Sequence, residues 1–385
     1  MISSFLPYPL YSGGHIRLYN LIKELSKKNS ITLICEKRDN QNEKEISKVK
    51  EICDKVLTVP RFKQWSFKNI IKTAFSLNPF LITGHKNKLL RKKIRNELKN
   101  EKYDLIHIET SYVFQNLPKT NLPTVLVEHN VEYLVYKRFS DRAIFFLKPF
   151  LYWDVYKLKI KEQQFWKKAK KLIAVSDIEK SLMGIKNAEV IPNGVDIGKF
   201  KFDKKNFLNK NKKILFIGDF KWVQNIDALK FILFDIWPKV LQKVDNTQLW
   251  IVGKNIPEAF RSRDFKNVVF DYNNNEETEE IFKKTDILLA PIRIGGGTSF
   301  KILEAMASGV GVVTTELGVE GIGAKNKTHV LTALDSYEFS KCLIDLLNNK
   351  DLFEKLTNNA RELIEDKYDW KKIAQRLEYI YKASI

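Results

Sequence analysis

The chain has 385 residues, 44% hydrophobic and 29% charged, with a formal net charge of +20. The length suits two α/β domains, and the composition excludes a fibrous or disordered chain. The longest apolar stretch, Ala143 to Tyr156, is broken by Lys148, Pro149 and Asp154. It is therefore not expected to span a membrane. The opening MISSFLPYPLYSGG has no basic segment ahead of an apolar core and does not read as a secretory signal. Cys35, Cys53 and Cys342 are far apart and form no CxxC, so buried thiols in a reducing compartment are expected.

The charge is uneven. Residues 1–196 carry 36 Lys and Arg against 20 Asp and Glu, while residues 197–385 carry 30 against 26. A basic first half points to nucleic acid, an anionic membrane or a phosphorylated substrate, with lysine-rich solvated surface as the plain alternative.

In chain order, short and nearly continuous apolar runs alternate with helical patterns. Ile31–Cys35, Lys55–Val59, Leu105–Ile108, Thr124–Val127, Leu172–Val175 and Val190–Ile191 read as strands in the first half. Ile214–Ile217, Leu249–Val252, Val268–Phe270, Ile287–Ala290 and Val310–Thr314 read as strands in the second. Helices are expected at Ile16–Lys27, Asn87–Leu98, Ile226–Leu241, Glu277–Lys284, Phe300–Ala307, Tyr337–Leu347, Leu352–Ile364 and Asp369–Ala383. Strands buried on both faces and separated by helices imply one parallel sheet per half. Pro192-Asn193-Gly194-Val195-Asp196 punctuates the chain between them, and the polar stretch Lys199–Lys213 follows. The expected divisions are 1–193, 194–368 and a terminal helix over 369–385.

The segment richest in chemistry is DILLAPIRIGGGTSFKILEAMASGVGVVTTELGVEG, residues 286–321. A buried strand ends at Pro291. Gly295-Gly296-Gly297-Thr298-Ser299 then opens a helix carrying Lys301 and Glu304. Ligands of open α/β sheets bind at the carboxyl ends of strands. A glycine loop opening a helix there offers backbone N–H groups and a positive helix end to a phosphate. A carboxylate such as Glu304 can accept two hydrogen bonds from vicinal ribose hydroxyls.

This segment resembles the donor-binding region of retaining glycosyltransferases of family four, the group 1 type. Other motifs follow in that family's order. They are Pro9-x-x-Ser12-Gly13-Gly14-x-x-Arg17, Val127-Glu128-His129-Asn130-Val131-Glu132, Ala174-Val175-Ser176-Asp177, Val190 to Asp196 followed by Phe200, Ile217-Gly218-Asp219-Phe220-Lys221-Trp222-x-x-Asn225, and Lys367-Tyr368-Asp369-Trp370. The resemblance implies an α/β, GT-B fold: two facing Rossmann-like domains, with a C-terminal helix crossing back to the first. It implies an acceptor-binding N-terminal domain and a C-terminal domain binding a nucleotide-sugar donor.

The chain departs from the family at two places. Where many relatives have Glu-x7-Glu, Glu304 supplies the second Glu but Gly296 stands at the first, as in a glycine-rich subset. Asn225 stands where many relatives place a phosphate-binding lysine, so Lys221 or Lys301 is expected to supply that charge. The first strand, within Met1–Phe5, is short.

The resemblance implies a hexosyltransferase that moves a sugar from a UDP- or GDP-type donor to a glycan or lipid-linked acceptor, with retention, in cell-surface polysaccharide or lipopolysaccharide synthesis. Alternatives are another enzyme on the same scaffold, such as a nucleotide-sugar epimerase, or a basic nucleic-acid-binding protein. No helix-turn-helix, RNP or zinc pattern supports the last.

The sequence contains no Asp-x-Asp. The expectation is thus no metal and no cofactor, with helix ends and basic side chains stabilising the leaving diphosphate. Expected catalytic residues are His129, Lys221 and Lys301. Expected donor-binding residues are Gly13, Gly14, Gly297, Thr298, Ser299 and Glu304. Two basic, aromatic-laced segments, Arg61–Lys68 and Arg138–Trp153, have the composition of a membrane-facing surface. They suggest a cytoplasmic enzyme peripheral on the inner face of a membrane, with no nucleic acid as partner.

Overall fold

Parallel sheets form in both halves of the computed structural model, which describes residues 1–206, 211–295 and 297–385. Gly296 of the glycine loop and residues 207–210 of the polar stretch lie outside the described residues.

The N-terminal domain comprises Met1–Pro192 together with Ile373–Ile385. Its strands are β1 (Ile2–Ser3), β2 (Thr32–Lys37), β3 (Lys55–Pro60), β4 (Ile106–Glu109), β5 (Thr124–Glu128), β6 (Lys171–Ala174) and β7 (Glu189–Val190). They pair in parallel in the order β3-β2-β1-β4-β5-β6-β7. The order reverses between β1 and β4, and this switch point opens a crevice at the carboxyl ends of those strands.

The C-terminal domain, Asn193–Lys372, repeats the plan. Its strands are β8 (Lys212–Ile217), β9 (Thr247–Val252), β10 (Val268–Asp271), β11 (Ile287–Ala290), β12 (Gly311–Thr314) and β13 (Leu331–Thr332). They run in parallel in the order β10-β9-β8-β11-β12-β13, with the switch between β8 and β11.

Successive strand residues point to opposite faces, and in the C-terminal domain each face has its own core. Ile214, Phe216, Leu249, Ile251, Ile287 and Leu289 pack on one side with Phe339 and Leu343. Leu215, Trp250, Val252, Leu288 and Ala290 pack on the other with Ile302, Leu303 and Met306. Each such side chain taken fully out of water contributes about 1.5–3 kcal/mol. This double burial explains why the strands read as continuous apolar runs.

The domain boundary lies between Pro192 and Asn193, one residue before the expected 193/194. The last helix runs Trp370–Lys382, and only from Ile373 does it belong to the N-terminal domain. Val195 pairs with Asp369 in a parallel bridge, its N–H donating to the Tyr368 carbonyl at 2.8 Å. Within the N-terminal domain, Arg376 of the helix donates to the Val190 carbonyl at 3.0 Å.

The expected single helix over Ile226–Leu241 is split into Val223–Phe231, a wide π turn at Ile232–Ile236, and Trp237–Leu241. Pro238 has no N–H to give the carbonyl one turn back, and the turn ahead of it opens. The apolar stretch from Ala143 to Tyr156 becomes a 3-10 turn, Phe145–Leu147, and the first part of a 21-residue helix, Lys148–Lys168. Among the described residues, no helix is long and apolar enough to cross a membrane.

Candidate active site

In the C-terminal domain the expected donor residues gather at the switch point. The loop after β11 carries Gly295 at φ 124° and Gly297 at φ 82°, backbone conformations that a side chain rarely tolerates. It leads to Ser299, the N-cap of the helix Phe300–Ala307, whose hydroxyl makes no capping bond. By contrast, Asn42, Asn87, Ser176, Asp335 and Asn349 each cap their own helices. Thr298 Oγ1 is buried with no hydrogen-bond partner among the described residues. The start of this helix thus keeps donors available to an anion.

Lys301, the second residue of that helix, reaches across to the end of β8. Its ammonium donates to the Ile217 carbonyl at 2.6 Å and to Asn225 Oδ1 at 3.3 Å. Burial pushes this ammonium down to about 8, against the opposing charge of Glu304. Burial pushes the Glu304 carboxyl up to about 8, with Lys199 and Lys301 pulling the other way. Among the described residues, the Glu304 carboxylate has no hydrogen-bond partner.

Lys221 is placed differently. Its ammonium sits 3.3 Å from Asp219 Oδ2, over the Trp222 ring. Of the two lysines proposed to replace the missing charge at Asn225, Lys301 is the one that reaches it. Asn225 itself lies over Gly218, where an added Cβ would stand 2.7 Å from its amide nitrogen. A Cβ on Gly253, at φ 146°, would stand 1.8 Å from the Gly218 carbonyl oxygen. The close approach of the turns after β8 and β9 therefore needs glycine at 253, while a side chain at 218 would displace Asn225.

In the N-terminal domain, Gly13 and Gly14 open the helix Gly13–Leu25. Its N-cap Ser12 also leaves the helix uncapped, its hydroxyl lying 2.7 Å from His15 Nδ1. Burial pushes His15 down to about 4, and Arg38 and Arg61 add to the effect, so it is neutral.

His129 follows β5 and stands beside this helix start. A Cβ on Gly14 would lie 3.6 Å from His129 Nδ1. The other ring nitrogen is held by Glu109, the last residue of β4. His129 Nε2 lies 2.6 Å from Glu109 Oε2, and His107 Nε2 lies 2.9 Å from Oε1. Burial works to raise the Glu109 carboxyl, but His129 and His107 outweigh it and hold the group well below the usual range.

An ionised carboxylate only accepts, so both histidines donate from Nε2. His107, kept neutral mainly by burial, then accepts at Nδ1 from the Tyr381 hydroxyl at 2.6 Å. The chain Tyr381–His107–Glu109–His129 leaves His129 Nδ1 turned toward Gly14. Arg17, fully buried in the glycine-loop helix, donates to the Pro192 carbonyl at 2.8 Å, and its charge interacts with Glu109.

A frame of carboxylates fixes the backbone around His129. Glu179 accepts from Val131 N–H at 2.9 Å, and Glu162 accepts from Glu132 and Tyr133 N–H at 2.9 and 3.1 Å. Glu128 accepts from Ser111 N–H and from Trp166 Nε1. Sequence reasoning missed Glu109 and Tyr381. The signal in the sequence was a histidine and a carboxylate on one face of the short strand β4; His129 and Tyr381 lie far from it in the chain.

Two family models match the chain. Residues 11–199 match the model described as Glycosyltransferase Family 4, and residues 211–349 match the one described as Glycosyl transferases group 1. The chain belongs to the family 4, group 1 glycosyltransferases. This glycosyltransferase is 27% identical over 391 residues to an uncharacterized 44.6 kDa protein in the cps region of Klebsiella pneumoniae, covering 97% of each chain. It is 26% identical over 222 residues to a phosphatidyl-myo-inositol mannosyltransferase of Mycobacterium leprae, covering 54% of this chain and 58% of that one. Among solved structures it resembles Anabaena HepE in complex with UDP and glucose, with a TM-score of 0.66 at 13% identity, over 99% of each chain. That likeness is one of fold, and the fold is GT-B.

Proposed function

We propose that this glycosyltransferase moves a hexose from a UDP- or GDP-sugar to a glycan or lipid-linked acceptor in cell-surface polysaccharide or lipopolysaccharide synthesis, with retention and without a metal. The observation that carries the donor assignment is Lys301. Its ammonium is anchored to the end of β8 beside the uncapped helix start of the β11 loop. The diphosphate takes the amides of Gly297 to Ser299, the Thr298 hydroxyl and the Lys301 ammonium. The Glu304 carboxyl, with no hydrogen-bond partner among the described residues, takes the ribose hydroxyls.

As the bond from the anomeric carbon to phosphate breaks, positive charge develops on the sugar and negative charge on the diphosphate. Fixed dipoles and Lys301 stabilise the latter, each such contact being worth on the order of 10²-fold in rate. The acceptor hydroxyl attacks from the same face and gives its proton to the departing phosphate oxygen, so no protein nucleophile is required. His129 and the amides of Gly13 and Gly14 are the polar groups the N-terminal domain offers to the substrates. Lys221, held on Asp219, has a minor part. The cps-region relative and the lipid-modifying mannosyltransferase support a cell-surface product.

Membrane attachment is part of the proposal. Phe67, Phe75, Phe145, Phe146 and Phe150 are exposed. Their two segments are joined where Lys157 donates to the Thr73 carbonyl at 3.0 Å and Phe80 N–H donates to Asp154. Exposed aromatics among lysines and arginines suit an anionic bilayer.

The test is a thermal-shift screen with nucleoside diphosphates and nucleotide sugars. The matching nucleotide at 100 times its Kd should stabilise the protein by about 2.7 kcal/mol. No shift with any UDP or GDP species would overturn the donor assignment.

A further inference from the structure

The donor and histidine groups leave unused a second concavity, wholly within the N-terminal domain. It is a pocket of about 670 Å³ lined by Lys63, Lys72, Lys86 and Lys88, with Asn69 and Gln115 among its neutral groups. Among the described residues, no carboxylate lines it. None of the four lysines has an ion-pair partner among the described residues. A smaller concavity of about 380 Å³ continues from it through Phe62 and Lys63 to Arg38 and Arg61, with Asp39 its one acidic residue. The pocket walls belong to the long connection that leaves the carboxyl end of β3, from Phe62 to Leu89, and to Gln115 after β4, while the smaller concavity adds Arg38 after β2 and Arg61 after β3. The pocket therefore opens on the carboxyl side of the sheet, the side that carries His129 and Gly13.

The frame beneath the lysines is built. Asn69 donates to the Gln64 carbonyl at 2.8 Å, and the Gln64 amide meets His85 Nε2 at 2.5 Å. Asn116 donates to the His85 carbonyl at 2.9 Å and accepts from Asn87 N–H at 2.9 Å. Asn87 in turn donates to Glu36 and to the Pro60 carbonyl. Burial pushes His85 down to about 3, with Arg61 adding to the effect, so the imidazole is neutral, and burial pushes the Glu36 carboxyl behind Asn87 up to about 7.

The helix Phe67–Ala74 has its polar and apolar faces reversed from the usual. Ser66, Asn69 and Lys72 face the pocket, while Phe67, Ile70 and Ile71 are exposed. Like charges converging on a cavity without a counter-ion repel one another, and a compact polyanion relieves that repulsion.

We propose that this lysine-lined pocket binds a phosphate or pyrophosphate group. The reading that this group belongs to the acceptor rests on the function proposed above; the pocket's chemistry does not. The shared chemistry is a phosphate ester, carried either by a lipid headgroup or by a soluble molecule. The exposed aromatics on the outer face of the same helix would lie against the bilayer if the phosphate is lipid-borne.

The experiment is calorimetric titration of inorganic pyrophosphate into the full chain, with the donor site held by saturating nucleoside diphosphate, comparing wild type with K72Q/K86Q and K72R/K86R. Binding should weaken by roughly tenfold or more in K72Q/K86Q and be kept in K72R/K86R. A folded K72Q/K86Q that binds pyrophosphate as wild type does would overturn the proposal. Failure of the donor assignment shows separately, as nucleotide binding that ignores K301Q. Vesicles of phosphatidic acid or phosphatidylglycerol at matched surface charge then distinguish the sources. A preference for phosphatidic acid that K72Q/K86Q abolishes means a lipid-borne phosphate. Equal binding to both vesicles, with pyrophosphate binding intact, means a soluble one.

Discussion

Replacing Glu109 tests the histidine chain most severely. The carboxylate is fully buried, accepts from two histidines at 2.6 and 2.9 Å, and interacts with the charge of the buried Arg17. Each hydrogen bond to a charged group contributes about 1.5–3 kcal/mol, so Glu109→Ala should cost about 3–6 kcal/mol from the two bonds alone. Arg17, left without that charge, adds to the loss. Glu109→Gln keeps the shape and one acceptor oxygen but presents an N–H₂ to one of two donors, and should fall between wild type and Glu109→Ala. Urea unfolding followed by tryptophan fluorescence measures the stability. Turnover against pH measures the second effect: with no acceptor at Nε2 in Glu109→Ala, and with one of the two histidines facing an N–H₂ in Glu109→Gln, His129 is no longer fixed with Nδ1 toward Gly14, and the profile of kcat/KM should move. Glu109 is a positioning residue, so kcat should fall more than KM changes. Wild-type unfolding midpoints and an unmoved pH profile in both variants would refute the chain of tautomers.

Three further outcomes are expected. Transfer should persist in excess EDTA, and complete loss restored by manganese or magnesium would mean that an ion handles the phosphate charge. Burial pushes the Glu162 carboxyl up from 4.5 to about 8, so the folded state holds its proton longer than the unfolded one and stability falls as pH rises across that window. Glu162→Gln should flatten this slope in urea melts at pH 5 to 8, and an unchanged slope would contradict the assignment. Co-sedimentation should be stronger with anionic than with neutral liposomes and should weaken with salt, at roughly 1 kcal/mol per lysine or arginine near the surface; binding indifferent to lipid charge would count against the docking surface.

The central strands were legible because they are buried on both faces. Ile214, Leu215 and Phe216 are each fully buried though they point alternately to two cores, so the sequence shows an unbroken apolar run. β13 was not legible: with two residues, Leu331–Thr332, it has no period to read. Nor was the break before Pro238, where the apolar pattern continues through the π turn. The glycine loop, Lys301 and Glu304 were read correctly as neighbours because they are close in sequence. The His107–Tyr381 bond joins residues 274 apart, a separation at which local pattern carries no information. The helix Phe67–Ala74 was not expected: only its first two residues fell in the segment read as aromatic and basic, Arg61–Lys68.

Calorimetric titration with the nucleoside diphosphate that the screen selects bears most directly on the donor site. Glu304→Ala should weaken binding by about 1.5–3 kcal/mol, on the order of ten- to a hundredfold, and Lys301→Met should weaken it comparably, both proteins remaining folded. Lys221→Met should change it little, because that ammonium already rests on Asp219. Folded Glu304→Ala and Lys301→Met proteins that bind the nucleotide as tightly as wild type would contradict a donor site at the ends of β8 and β11.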